Sequence, residues 1–131
     1  MTTQSLFLVA LVVPDYDAAI AFYCGALGFT LVEDNGLEGD KRWVVIRPPG
    51  GEGASLLLAK AADEEQARAI GMQAGGRVGF FLKTDDFARD HAAYTARGVV
   101  FEEAPRHEVY GTVAVFRDPF GNRWDLIQHA I

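Results

Sequence analysis

The sequence has little cysteine, little basic charge and no long apolar run. Its single cysteine, Cys24, cannot form an internal disulfide and is expected to be a packed thiol. Lys and Arg total 12 against 18 Asp and Glu, a net charge of −6 without a basic stripe, which excludes nucleic acid as an expected partner. The longest apolar run, residues 6–13, is far shorter than the roughly 20 residues of a membrane span, and no basic leader precedes it. We therefore expect a cytoplasmic protein with no membrane partner.

What is present is enough for one folded domain. The chain has 131 residues, of which 50% are hydrophobic and 11% aromatic. A chain of this length and composition can bury a core without disulfides or metals. We predict a single domain over residues 1–131.

The first half of the sequence predicts one strand, one helix and three further strands. Residues 6–13 form an apolar strand that stops at Pro14. Asp15 stands at a helix N-cap, and Gly28 stands where a helix over residues 16–27 would end. Three more strands are predicted, followed by a polar helical stretch: 29–33, 42–47, 54–59 and 62–70.

The second half repeats this order. It predicts a strand over 77–84, a helix over 87–97, and strands over 99–103, 109–116 and 122–129. The spacing from Asp15 to Gly28 equals that from Asp85 to Gly98, 13 residues each (28 − 15 and 98 − 85). This indicates an internal duplication.

The duplication predicts an α+β fold. Two βαβββ modules, at about 5–60 and 76–131, flank a linker helix at 61–75 and form a curved mixed sheet with helices on the convex side. Because side chains alternate along a strand, every second one from the inner strands is expected to face a concave cleft.

Four short motifs carry a family resemblance, which spans nearly the whole chain. The sequence resembles the glyoxalase and bleomycin-resistance-like branch of the vicinal oxygen chelate superfamily, whose members include lyases, dioxygenases and antibiotic-binding proteins. The resemblance implies this fold, a small-molecule ligand and a homodimer. The motifs are Val13-Pro14-Asp15, Ala19-Ile20-Ala21-Phe22-Tyr23, Leu27-Gly28-Phe29 and Asp118-Pro119-Phe120-Gly121-Asn122-Arg123-Trp124.

The resemblance also locates four positions at which metal-using relatives hold a divalent ion. In this sequence they fall on Leu8, Leu57, Gly79 (or Val78, if the register slips by one) and Asp125. Only Asp125 offers a ligand atom, so a bound ion would stay mostly hydrated. We expect no metal site and no cofactor.

Candidate site residues follow from the same register. Trp43, Leu57 and Phe81 are expected to give the cleft an apolar wall, although ordinary core packing is an equal alternative for Trp43. Asp125 would supply polarity, unless it is a solvated surface carboxylate. His107, Tyr110 and Arg77 are candidates for polar contacts with a ligand, although a polar loop or solvated side chains would explain them as well. Trp124 is expected on the opposite, helix-packing face.

Two functions remain open from the sequence. One is a metal-independent protein that binds an apolar or planar small molecule, as a resistance or sequestration protein does. The other is an enzyme of the lyase, isomerase or dioxygenase type, in which Asp125 takes a proton next to a carbonyl while His107 or Tyr110 polarises the oxygen.

Overall fold

The structure is a computed structural model that describes residues 2–131. The chain divides into two compact units, one ending at Ala69 and the other beginning at Ile70. Within residues 2–131, no helix is both long enough and apolar enough to cross a membrane. The elements of the first unit are β1 (Leu8–Val13), α1 (Tyr16–Ile20), a π-helical segment (Ala21–Ala26), β2 (Thr30–Gly36), β3 (Arg42–Arg47), β4 (Ser55–Lys60) and α2 (Glu64–Ala69). Those of the second unit are β5 (Val78–Lys83), α3 (Phe87–Ala96), β6 (Val100–Phe101), β7 (Arg106–Glu108), β8 (Gly111–Arg117) and β9 (Arg123–His129).

The two units have the same strand order, which confirms the α+β class and the duplicated strand–helix–strand pattern. The first sheet has the order β1-β4-β3-β2 and the second the order β5-β9-β8-β6. In each sheet the first strand pairs in parallel with the last, and the other pairings are antiparallel. Hydrogen bonding thus divides the strands into two mixed sheets, one in each unit.

The first helix begins as predicted but changes its geometry midway. The Asp15 side chain accepts a hydrogen bond from the Ala18 backbone N–H at 2.8 Å, so it is the N-cap. The helix is α-helical only to Ile20, and a π-helical segment follows. Gly28 ends it with φ of 77°, a left-handed conformation that glycine adopts without strain.

The second helix also begins at an aspartate N-cap. Its N-cap is Asp86, whose side chain accepts a hydrogen bond from the Arg89 N–H, whereas Asp85 forms an exposed ion pair with the Arg89 side chain. The cap therefore lies 12 residues before Gly98 (98 − 86), against 13 in the first unit (28 − 15). A π-helical turn accommodates one extra residue in a helix, so the segment Ala21–Ala26 accounts for the difference.

The core of the second unit lies between its sheet and α3. Trp124 is buried and stacks on Phe80 and Phe116, with ring centroids 4.6 Å and 5.9 Å away. Tyr94 of α3 contacts the Phe116 ring at 5.7 Å. This places Trp124 on the helix-packing face of the sheet, as its sequence position predicts.

The motif that begins at Asp118 forms the turn between β8 and β9. The buried Asp118 carboxylate accepts hydrogen bonds from the Phe120 and Asn122 backbone N–H groups and from the Asn122 side-chain amide. One carboxylate thus satisfies three donors in a tight turn. This part of the family motif has a structural role.

Two strands differ from their predicted form. The predicted strand at 109–116 is β8, preceded by the short strand β7, which pairs with it as a hairpin. All three residues of β7 are exposed and polar, so the sequence gives no apolar alternation to reveal it. In β5 the register with β9 shifts between Val78 and Phe80, which leaves Gly79 as a bulge.

Candidate functional site

In the first unit, Trp43 and Leu57 share one face of the sheet. Val45 pairs with Leu57 across β3 and β4, and alternation places Trp43 on the same face as Val45. The opposite face carries Arg42, whose guanidinium contacts Asp17 of α1, so Trp43 and Leu57 lie on the side away from the helix. Both side chains are half-buried.

The Trp43 ring nitrogen already has a hydrogen-bond acceptor on this face of the sheet. Its N–H donates to the Glu33 carboxylate at 3.2 Å. A buried or half-buried indole N–H normally needs such an acceptor, and the pairing orients the ring. Trp43 therefore offers apolar area and a ring face rather than a free donor.

In the second unit, Phe81 and Asp125 lie side by side. They are register partners on the parallel strands β5 and β9, and Val115 of β8 is the partner of Asp125 on its other side. This surface is named the Asp125 face, the side of the second sheet opposite α3. Phe81 is 68% exposed, unlike the buried aromatic rings on the helix side.

The Asp125 carboxyl is poorly solvated and incompletely paired. Its Oδ1 is buried and has no hydrogen-bond partner among residues 2–131. Desolvation by burial raises the pKa of Asp125 above its ordinary value, and the negative charge of Glu103 acts in the same direction. The positive charges of Arg106 and Arg123 oppose this rise without reversing it. An incompletely paired carboxyl with a raised pKa is suited to accept a hydrogen bond or a proton.

Arginine and glutamate side chains form a charge network on the Asp125 face. Arg117 and Arg123 both donate to the Glu102 carboxylate, with Nε to Oε2 distances of 2.6 Å and 2.9 Å. These contacts hold the pKa of Glu102 below its usual range. Arg123 also donates to the Gly76 carbonyl at 3.1 Å.

A second part of the network lies at the hairpin of β7 and β8. Arg106 pairs with Glu103 at 2.9 Å and with Glu108 at 3.1 Å. The other oxygen of Glu103 accepts the Val115 backbone N–H at 3.0 Å. Sequence reasoning did not single out this network as part of a site. The signal available was alternation, which places Arg117, Arg123 and Asp125 on one face once β8 and β9 are paired.

Tyr110 lies in the turn of this hairpin. It is 50% exposed, and its side chain hydrogen-bonds that of Arg106. The hydrogen bond to Glu103 raises the pKa of the Arg106 guanidinium most, and the contact with Tyr110 adds to this rise. The hydroxyl is thereby linked to the charge network. Arg77, by contrast, is exposed ahead of β5, with its backbone N–H donated to the Ala74 carbonyl at 3.3 Å.

The structure does not bring His107 together with Asp125. His107 pairs with Thr112 across the hairpin, and its Nδ1 lies 3.3 Å from the Thr112 hydroxyl. Thr112 in turn pairs with Gln128, whose side chain accepts the first N–H of α3, so His107 belongs to the helix side of the sheet. Asp125 is on the other side.

The residues present do not fit the divalent ion that metal-using proteins of this fold hold. Leu8, Leu57 and Gly79 have no side-chain oxygen or nitrogen, and Asp125 is the one ligating side chain at the four positions. Across residues 2–131, no group of three or more His, Cys, Asp or Glu is arranged to hold a metal ion.

Comparisons with known proteins extend over nearly the whole chain. The family model described as Glyoxalase/Bleomycin resistance protein/Dioxygenase superfamily matches residues 5–126. An uncharacterized protein of Shewanella frigidimarina (strain NCIMB 400) is 56% identical over 126 residues, covering 95% of this chain and 93% of the relative.

Two solved structures are similar in both sequence and fold. The crystal structure of UcmS2 is 31% identical with a TM-score of 0.83, covering 96% of this chain and 98% of that one. The structure of TnmS3, an antibiotic binding protein from Streptomyces sp. CB03234, is 30% identical with a TM-score of 0.79, covering 99% of both chains.

Proposed function

Because the chain belongs to the glyoxalase/bleomycin resistance protein/dioxygenase superfamily, we propose that it binds an apolar or planar small molecule at the Asp125 face without a metal ion. The observation that carries this proposal is the pairing of Phe81 with Asp125. An exposed ring offers apolar area and stacking, and the adjacent carboxyl offers one polar anchor. Small-molecule sites are typically built from this combination.

The side chains favour direct contact with the ligand over binding through an ion. A divalent ion held by the Asp125 carboxylate alone would keep most of its water ligands and bind weakly. Leu57 and Gly79 cannot complete its coordination. The ligand would then be held by apolar area and hydrogen bonds, both of which are insensitive to chelators.

The comparison with TnmS3 supports a binding role. TnmS3 is described as an antibiotic binding protein, and it is 30% identical to this chain over nearly its full length. A protein that sequesters a molecule needs complementary surface and no reacting group. The exposed Phe81 ring and the Asp125 carboxyl would supply such a surface.

A ligand screen by thermal unfolding tests the proposal. A panel of planar aromatic compounds, including naphthols and hydroxyanthraquinones, is added to the protein with and without EDTA. A ligand at 100 times its Kd stabilises the folded state by about 2.7 kcal/mol, which is a shift of several degrees. We expect at least one compound to raise the Tm equally with and without EDTA.

The matched variants are Phe81→Ala at the site and Leu37→Ala as a control in the loop between β2 and β3, since both residues are exposed apolar side chains. The shift should fall in the first variant and persist in the second. A panel without any stabilising compound would overturn the proposal. Stabilisation that disappears in EDTA and returns with added Zn²⁺ would overturn its metal independence.

The raised pKa of Asp125 favours a second candidate function, proton abstraction next to a carbonyl. Asp125 would take the proton, and Tyr110 would stabilise the charge that develops on the oxygen. The test is hydrogen–deuterium exchange of hydroxyketone substrates in D₂O, followed by NMR. Exchange by the wild type that Asp125→Asn abolishes would favour this function, and equal exchange in both proteins would exclude it.

A further inference from the structure

The arginines of the Asp125 face are already occupied by glutamates. Arg117 and Arg123 share Glu102, and Arg106 binds Glu103 and Glu108. A guanidinium held by two or more hydrogen bonds to carboxylates has few donors left for an anionic ligand. Arg106 and Arg123 are therefore poor candidates for binding a ligand's acid group, whereas Arg117 makes one such bond and lies two residues along β8 from Val115, the strand partner of Asp125.

Asp125 differs from these glutamates. Glu102, Glu103 and Glu108 each accept hydrogen bonds from arginine, whereas the described residues provide no donor to Asp125 Oδ1. Lys83 also lies on this face, because it follows Phe81 by two residues on β5, so the four acids face four positively charged side chains. Among residues 2–131, Asp125 is the one of these four acids that no arginine hydrogen-bonds.

The neighbouring Phe81 ring also favours a cationic group in the ligand. Phe81 is the strand partner of Asp125 and is 68% exposed. The face of an aromatic ring is electrostatically negative and attracts cations as well as apolar groups. A ligand beside Phe81 is therefore attracted through a cationic group as well as through a ring.

From this arrangement we infer that the ligand of the Asp125 face carries a protonated amine attached to an apolar or aromatic ring. The amine donates to the Asp125 carboxylate and the ring packs on Phe81. Because the terminal torsion of an aspartate is soft, either carboxylate oxygen can turn toward the donor. This inference rests on the proposed function and adds the chemical class of the ligand.

A buried acceptor without a donor has a physical cost that this ligand class removes. An unsatisfied buried polar group loses the hydrogen bonds that it would make to water, and the loss is greater when the group is charged. Burial also raises the pKa of Asp125, because it penalises the carboxylate. A cationic donor offsets both penalties, whereas an anionic ligand would add repulsion to them.

Three matched probes test the inference: 2-naphthylmethylamine, 2-naphthylmethanol and 2-naphthoate. They share one ring and differ in the charge of one substituent. Their Kd values are measured by NMR titration at pH 7.5 and low salt. We expect the wild type to bind the amine about 10-fold more tightly than the alcohol, a difference of about 1.4 kcal/mol, and the naphthoate most weakly.

Two variants assign the preference to one residue. Asp125→Asn should reduce the preference for the amine to about twofold or less, because an amide carries no charge. Glu65→Gln, which removes the same charge from an exposed position on α2, should leave the preference unchanged. A preference that persists in Asp125→Asn would overturn the assignment to this carboxylate.

The remaining outcomes also decide the inference. Equal or tighter binding of the alcohol or the naphthoate by the wild type would overturn it, as would an absence of binding by all three probes. Neither result would overturn the proposed function if the wider aromatic panel still contains a chelator-insensitive ligand. The proposed function is overturned only if no compound of the wider panel stabilises the protein.

Discussion

Phe81 and Asp125 are strand partners, so an exposed aromatic ring lies beside a carboxyl whose Oδ1 is buried and has no hydrogen-bond partner within residues 2–131. Each side chain alone is unremarkable on a protein surface. Together they place apolar area and an incompletely satisfied acceptor at one spot, which is unfavourable for stability and suited to binding. The effect on stability can be measured in Asp125→Asn and the effect on binding in Phe81→Ala.

Asp125→Asn is expected to stabilise the protein at neutral pH. The pKa of Asp125 is raised in the folded state, so folding opposes its ionisation and stability is lost as the pH rises toward and through the folded-state pKa. Asparagine avoids this loss, and because solvent screens the partly buried carboxylate, the expected gain is at most about 1 kcal/mol. The gain should disappear below the pKa of the unfolded state, where Asp125 is protonated in both states. Urea unfolding at pH 7.5 and under acid conditions measures it.

Asp85→Asn is the matched control, and its effect should have the opposite sign. The hydrogen bond from Arg89 lowers the pKa of Asp85, so the ionised form favours folding. Replacing Asp85 should therefore leave stability at neutral pH unchanged or slightly lower. A loss of stability in Asp125→Asn at neutral pH would contradict the raised pKa.

Phe81→Ala is expected to weaken ligand binding with little effect on folding. Because the ring is 68% exposed, its removal takes away little packing, and we expect a stability change within about 0.5 kcal/mol. Loss of its contact area should raise the Kd of an aromatic ligand by about 10-fold, the equivalent of about 55 Å² of apolar contact. Calorimetric titration and thermal unfolding of the same samples check both values. Comparable losses of stability and affinity would indicate a packing role for Phe81.

Glu102→Gln is expected to destabilise the protein slightly, in a manner that depends on pH. Hydrogen bonds from Arg123 and Arg117 lower the pKa of Glu102, so its contribution is present above the unfolded-state pKa and is lost as the pH falls through the folded-state pKa. Since these pairs are partly exposed to solvent, the loss at neutral pH should be less than about 1 kcal/mol. It should also shrink in 1 M NaCl. Chemical unfolding at two pH values and two salt concentrations measures both dependences, and a loss that grows on acidification would refute this account.

Gly111→Ala is expected to be much more damaging than Gly98→Ala. Both glycines have positive φ, but a Cβ at Gly111 would overlap the Gln128 carbonyl oxygen of β9, whereas no atom lies within 4 Å of a Cβ at Gly98. The Gly98 variant should lose about 1–2 kcal/mol from backbone strain alone. The Gly111 variant should lose more, with reduced soluble yield, because two paired strands must separate. Urea unfolding and expression level compare them, and equal effects would contradict the overlap.

The helices and strands were largely predictable from sequence, because the residues that begin and end them act through local interactions. Asp15 and Gly28 bound the first helix through an N-cap hydrogen bond and a positive φ, and both are readable from residue type. The equal spacing of Asp15–Gly28 and Asp85–Gly98 does not extend to the caps, because the second helix is capped by Asp86. The π-helical turn that breaks the equality depends on backbone hydrogen bonding and leaves no mark in the sequence pattern.

The site was predictable in part. Trp43 with Leu57, and Phe81 with Asp125, share faces as strand alternation predicts. The arginine and glutamate network was not predicted, because it depends on which strands are paired and in which register. His107 was grouped with Asp125 by proximity to a ligand-bordering region, but the hairpin of β7 and β8 places it on the helix side.

The bulge at Gly79 takes up one residue of β5 without changing which side chains of β5 and β9 are neighbours beyond it. The shift occurs before Phe80, so the pairings of Phe80 with Trp124 and of Phe81 with Asp125 follow it undisturbed. A relative that lacked this residue would have a regular strand and still present the same aromatic and acidic neighbours. A one-residue insertion or deletion at the start of this strand can therefore leave the pairing of Phe81 with Asp125 intact.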